Sequence, residues 1–211
     1  MQKLVPVGID EFSEIIEGGY YYVDKSMLIW ELLMNRHKAS LILRPRRFGK
    51  SLNMSMLKEF FELGSDKDLF LGLEISNEKL LCEEWQGQRP VVFLSFKDID
   101  EGSYEDALAK LAIVVCDEAS RVGVGKGCSG LNDDESAVFA RMSSQQASKI
   151  DIARSIKLIT KALCLQHGKR AIVLIDEYDA PLDKAYISGF YSGMISAYRS
   201  MLNEALKGNP Y

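Results

Sequence analysis

Ala39-Ser40-Leu41-Ile42-Leu43-Arg44-Pro45-Arg46-Arg47-Phe48-Gly49-Lys50-Ser51 is the stretch that decides the fold. A short apolar run of the buried-strand type passes directly into a basic turn. Beyond the turn, Leu52, Met56, Leu57, Phe60 and Phe61 recur at helical spacing as far as Gly64. The predicted order is strand, short loop, helix. A turn in that setting binds phosphate when backbone N–H groups point inward and a helix N-terminus stands behind them. A Lys must also reach the terminal phosphates and a hydroxyl must hold magnesium. Gly49-Lys50-Ser51 supplies the last three residues of the pattern G-x-x-x-x-G-K-[ST], but Arg44 stands where the first glycine belongs, so the strict pattern fails. The competing reading of the segment is a solvated basic turn.

A second cluster lies further on. Ala171-Ile172-Val173-Leu174-Ile175 is an apolar strand that runs into Asp176-Glu177. An Asp at the end of a buried strand can hold magnesium through water while the following Glu polarises an attacking water. A capping Asp with an exposed Glu is the structural alternative. A third apolar run, Pro90-Val91-Val92-Phe93-Leu94-Ser95-Phe96, predicts another strand. Helical spacing is read over residues 10–17, 27–35, 104–121, 152–165 and 187–202, the last closed by Gly208-Asn209-Pro210. Residues 20–23 are aromatic and β-prone, and Asp24 or Ser26 can cap the helix that follows. Residues 122–149, rich in Gly, Ser and Asp, are read as an insertion with one short helix near 135–142. Near-continuous apolar strands separated by helices predict an α/β chain with a mainly parallel sheet covered on both faces. In such folds ligands sit at the carboxyl ends of strands, where both polar clusters fall.

Composition sets the outer limits. The 211 residues are 47% hydrophobic and 27% charged, with 26 Lys plus Arg against 30 Asp plus Glu and a net charge of −4. That balance belongs to a folded chain with a full core. No apolar run approaches the roughly 18 to 20 residues of a membrane span, and the acidic start (Asp10, Glu11, Glu14, Glu17) predicts no secretory leader. Cys82, Cys116, Cys128 and Cys164 form no CxxC pair, so reduced thiols and a cytoplasmic location are expected. Between Glu31 and Glu59 there is no acid, while Arg36, Lys38, Arg44, Arg46, Arg47, Lys50 and Lys58 supply seven cations, leaving −11 (−4 less 7) for the remainder. One cationic segment on an acidic chain suits a compact anion; a polyanion spread over the surface is repelled.

Gly8-Ile9-Asp10-Glu11-Phe12 with Tyr22-Val23-Asp24-Lys25-Ser26, the basic turn through Ser51, and Ile175-Asp176-Glu177-Tyr178-Asp179-Ala180-Pro181-Leu182 together resemble the bacterial AAA-ATPase-like family. That family often carries a nuclease-like domain of the PD-(D/E)XK type after its ATPase part. The resemblance covers nearly the whole chain and makes Arg44 a family trait. It implies a three-layer α/β/α P-loop NTPase that binds ATP and Mg2+. Residues 1–38 would form a helical and aromatic segment ahead of the first strand, and residues 39–211 the nucleotide-binding core.

By the same resemblance, Lys50 contacts the β- and γ-phosphates, Ser51 and Asp176 hold magnesium, and Glu177 acts on the hydrolytic water. Pro45, Arg46, Arg47, Phe48 and Gly49 complete the phosphate loop. Arg46 and Arg47 either stiffen the loop or touch phosphate, or are simply solvated, and Phe48 can pack beneath it. Family members continue past residues 207–210 into a sensor strand and a helical lid, so the core is expected to be incomplete at its C-terminus. Three functions follow: an ATP-hydrolysing module once complete, a nucleotide-dependent module that binds protein or nucleic acid through the region beyond Tyr211, and a phosphoryl transferase.

Overall fold

In the computed structural model, residues 3–43, 48–125, 128, 130–207 and 209–211 are described. The chain divides into two units, Met1–Val91 and Val92–Tyr211. The first is built on aromatic packing. Helix α1 (Phe12–Glu17) buries Phe12 and Ile15, α2 (Met27–Asn35) buries Ile29, and α3 (Lys50–Phe61) buries Ser55, Met56, Leu57, Phe60 and Phe61. Two 3-10 turns, Lys67–Phe70 and Glu74–Asn77, and the short helix α4 (Lys79–Trp85) complete the unit. Phe12 and Phe60 meet across Phe70, with ring centroids 4.9 and 5.2 Å from it. Phe60 also stands edge-on to Phe61 at 5.2 Å. Arg89 lies 4.2 Å over the Trp85 ring.

Two expectations for this unit are corrected. Residues 39–43 form no strand, and their leucines face water: Leu41 is 67% and Leu43 70% exposed. A strand is held by a ladder partner and a covered face. Among the described residues of the unit the only β pairing is an isolated parallel bridge between Glu62 and Arg89. Residues 20–23 are likewise extended without a ladder: Tyr21 donates its N–H to the Leu4 carbonyl at 2.8 Å, and Tyr21 and Val23 are exposed.

The second unit holds the sheet, two parallel strands, β1 (Val91–Ser95) and β2 (Ile172–Asp176). Both match the predicted runs to within a residue at most ends. Helices α5 (Tyr104–Arg121), α6 (Asp133–Ser143), α7 (Lys149–His167), α8 (Ala180–Ile187) and α9 (Tyr191–Leu206) complete it. Burial on α5 falls on Ala107, Leu111, Ala112, Val115, Cys116 and Ala119, one stripe at helical spacing that joins Val92, Leu94 and Phe96 in the core. The buried Glu118 on that stripe is satisfied: it accepts from the Phe93 N–H and from Arg121 Nε at 2.7 Å.

The fold is therefore a mixed helical and sheet structure of α/β type. Within residues 122–149, α6 is a well-made helix with an Asn132–Glu135 capping box, and Val138, Phe139 and Met142 lie in the core. The helix expected from residue 187 starts instead at Tyr191 and runs to Leu206, because Gly189, at φ 83, turns the chain between α8 and α9. At the far end Asn209 donates through Nδ2 to the Ala205 carbonyl at 2.9 Å and to Thr160 Oγ1 at 3.0 Å, closing α9 onto α7.

Helix α7 opens with a second capping box, Ser148 and Asp151, and Arg141 of α6 grips Asp151 through Nε at 3.1 Å and through Nη2. The Arg141 guanidinium, against the opposing effect of burial, holds the Asp151 carboxyl far below the usual carboxylate range. A carboxyl whose folded value is depressed contributes stability above the unfolded value of about 3.9 and loses it as pH falls toward the folded value. Urea unfolding at successive pH is expected to show Asp151→Asn less stable than wild type at neutral pH, with the gap narrowing steadily below about pH 4. A gap that stays constant into acid would remove the assignment.

Candidate functional site

The first cluster sits in the first unit. Of its expected phosphate-loop residues, Pro45, Arg46 and Arg47 lie outside the described residues, as does Arg44. Phe48 is 61% exposed. Gly49 is at φ 74 and ψ 32, the left-handed region that glycine enters without strain, and it is the N-cap of α3. Lys50 is the first residue of that helix and Ser51 the second. The Gly49 carbonyl accepts from the Asn53 N–H at 3.0 Å, so the helix starts directly from the turn. Among the described residues no side chain caps this end, which leaves first-turn N–H groups available to an anion.

Helix α3 is seated by contacts from residues outside the turn. Ser55 Oγ, buried, accepts from the Phe12 N–H at 2.9 Å and donates to Glu11 Oε2 at 2.8 Å. The Tyr22 hydroxyl donates to Met56 Sδ at 3.3 Å, and burial pushes that phenol up to about 12. Asp24 and Ser26 fasten the start of α2: Asp24 accepts from the N–H groups of Ser26 at 2.8 Å and Glu74 at 2.7 Å, and Ser26 Oγ accepts from the Ile75 N–H at 3.1 Å. Burial alone would raise the Asp24 carboxyl, but these bonds from Glu74 and Ser26 outweigh it and hold the group below its ordinary value. The signal that could have pointed here was the recurrence of Glu11-Phe12 and Asp24-Lys25-Ser26 as polar residues beside aromatic ones.

The second cluster sits in the second unit, at the carboxyl end of β2. Asp176 closes the strand, its carbonyl accepting from the Phe96 N–H at 3.1 Å. The residue is 6% exposed. A carboxylate at a strand end is the kind of oxygen ligand a hard cation takes. Glu177 adopts φ 51, a left-handed conformation that a residue with a Cβ enters at a cost. Asp179 is the N-cap of α8 and Asp183 lies in its first turn. Among the described residues no group of three or more His, Cys, Asp or Glu could hold a metal. A strand-end Asp can supply one ligand to magnesium, which takes few protein ligands and completes its shell with water and phosphate. It does not fit an all-protein cage.

Beneath the turn after Glu177, the Asp179 Oδ1 and Tyr198 Oη atoms are both buried with no hydrogen-bond partner. Tyr198 is 2% exposed and packs edge-on to Phe96 at 5.6 Å. Burial first, and the Asp179 charge second, raise its phenol. Because the hydroxyl makes no bond, Tyr198→Phe is expected to leave stability unchanged or to raise it by up to about 1 kcal/mol. A thermal melt showing a loss of about 2 kcal/mol or more would mean that the hydroxyl is bonded.

Comparison with known proteins bears on both clusters. The family profile described as Predicted AAA-ATPase matches residues 6–211. An uncharacterized protein in the vnfD 5′ region of Azotobacter chroococcum mcd 1 is 31% identical over 182 residues, covering 86% of this chain and 30% of that protein. The chain thus spans under a third of the length of the curated relative it matches. No solved structure matches, and no helix among the described residues is long and apolar enough to cross a membrane. Residues 6–211 place the chain in the AAA-ATPase-like family, the predicted AAA-ATPases.

Proposed function

We propose that this chain is the ATP- and magnesium-binding part of an AAA-type ATPase that hydrolyses ATP in the full-length protein. The observation that carries this reading is the Gly49 turn, left-handed at the N-cap and followed at once by Lys50 and Ser51 at the start of α3. Such a helix start presents N–H donors and positive potential to a phosphate, and Lys50 adds a full charge. Asp176, a carboxylate at the end of β2, is a suitable ligand for a cation. Ser51 and Asp176 are the proposed magnesium holders and Glu177 the group that orients and deprotonates the attacking water. Residues 45–49 are proposed to complete the phosphate loop. Magnesium, when bound, screens the phosphate charge that repels an incoming nucleophile.

The three-layer P-loop arrangement belongs to the same proposal. Residues 1–38 precede that core, and residues 122–149 are an insertion within it. An acidic chain with one cationic segment suits a cytoplasmic nucleotide site, and further protein or nucleic acid partners are assigned to the rest of the longer protein.

Isothermal titration of residues 1–211 with ATP and magnesium tests the reading. Lys50→Ala is expected to weaken binding by about tenfold or more, the loss of one charge-assisted contact. Equal affinities for the two proteins would remove the site as assigned. Phosphate release by the full-length protein then separates an ATPase from a module that only binds nucleotide. Transfer of the γ-phosphate to an acceptor other than water would make it a phosphoryl transferase.

A further inference from the structure

The four residues Tyr22, Asp24, Lys25 and Ser26 form one short segment, and three of them are consumed by packing. Tyr22 bonds to α3, while Asp24 and Ser26 bond to the backbone of the turn at Glu74 and Ile75. Ser26 is fully buried, so the segment is held at its centre. Lys25 is the exception: it is exposed, and no carboxylate among the described residues forms an ion pair with it. Its ammonium does not trail into solvent. Lys25 Nζ lies 3.7 Å from the point a Cβ on Gly49 would occupy. Two lysines, 25 and 50, are thus gathered at one glycine turn.

Simple electrostatics opposes that arrangement. The start of α3 carries partial positive charge, Lys50 adds a full one, and a flexible Lys side chain is free to turn away from both. With no described carboxylate in ion-pair contact with Lys25, the gathering is favourable when an anion of more than one charge enters. A segment fastened by Asp24 and Ser26 on either side of Lys25 delivers the second ammonium without ordering a loop at the moment of binding.

We infer that Lys25 is a further phosphate-binding cation of the Gly49 turn, reaching the nucleotide's phosphate chain beside Gly49. The inference rests on the reading of that turn as a phosphate loop. It assigns Lys25 a role in recognising charge on the ligand, separate from any contact with the base.

The test uses residues 1–211 as wild type, Lys25→Ala, Lys25→Arg and Lys50→Ala, titrated calorimetrically with MgATP, inorganic tripolyphosphate and adenosine. Lys25 is exposed, so equal melting temperatures are expected for wild type and its two variants. Lys25→Ala is expected to weaken tripolyphosphate and ATP by about tenfold or more and leave adenosine unchanged, with Lys25→Arg restoring most of the affinity. If Lys25→Ala binds both phosphate ligands as wild type does while Lys50→Ala does not, the inference is overturned and the phosphate-loop reading stands. If wild type binds neither, both fall. If tripolyphosphate binds in a Lys25-dependent way and ATP does not, the anion site is upheld and the nucleotide reading is removed.

Discussion

Glu177→Gln in the full-length protein is expected to lower phosphate release from ATP by about a hundredfold or more while leaving ATP binding intact, the range in which a positioned base contributes. Glutamine keeps the size and shape of the side chain and loses only the ability to take a proton. A second substitution at the same position reads the backbone. Glu177 holds φ 51 immediately after β2, where a side chain bearing a Cβ is strained by about 1–2 kcal/mol. Glycine removes that strain and returns part of the gain through the greater freedom of its unfolded chain. Glu177→Gly is therefore expected to raise the stability of residues 1–211 by about 0.5–1 kcal/mol and to abolish turnover in the full-length protein. Stability and activity moving in opposite directions is what strain retained for function predicts. Retention of full turnover by Glu177→Gln would sink the assignment, and a less stable glycine variant would show that the left-handed turn carries no strain to relieve.

The largest expected loss of stability lies in the first unit. Phe60 is fully buried between Phe61 and Phe70, with both ring centroids 5.2 Å away and both contacts edge-on. Truncation to alanine removes that burial and leaves a cavity the neighbouring rings cannot fill, so Phe60→Ala is expected to cost about 3–5 kcal/mol. That is a large share of the roughly 5–15 kcal/mol that holds a typical domain folded. Because α3 runs from Lys50 to Phe61, the ring that anchors its last turn also holds the direction of its first. Nucleotide affinity is expected to fall with stability in Phe60→Ala, and Phe60→Leu to keep most of both. Urea unfolding followed by ATP titration checks this. A Phe60→Ala protein as stable as wild type would mean that the aromatic cluster does not carry this unit.

Legibility varied by element, and for physical reasons. Val92, Leu94 and Phe96 followed by the 104–121 periodicity were readable because the stripe on α5 is written into i, i+4 and i+8 spacing. The same holds for β2, where five apolar residues leave no helical face to expose. Residues 180–187 escaped notice: α8 is short, starts at a proline, and its acids resemble a loop. Residues 39–43 misled in the other direction. An apolar run states that a segment is able to be a strand, whereas pairing depends on residues far away in the chain.

What the sequence determined by itself is local. A glycine where the chain must turn left-handed, a lysine and a serine at the first positions of a helix, and an aspartate at the end of an apolar strand all follow from short-range sterics and periodicity. Tertiary structure alone decided which side chains seat those positions: Glu11 and Phe12 on Ser55, Asp24 and Ser26 on the turn at residues 74–75, and Lys25 beside Gly49. These pairs are separated by 24 to 50 positions, and no spacing rule links residues that meet only after the chain has folded back on itself.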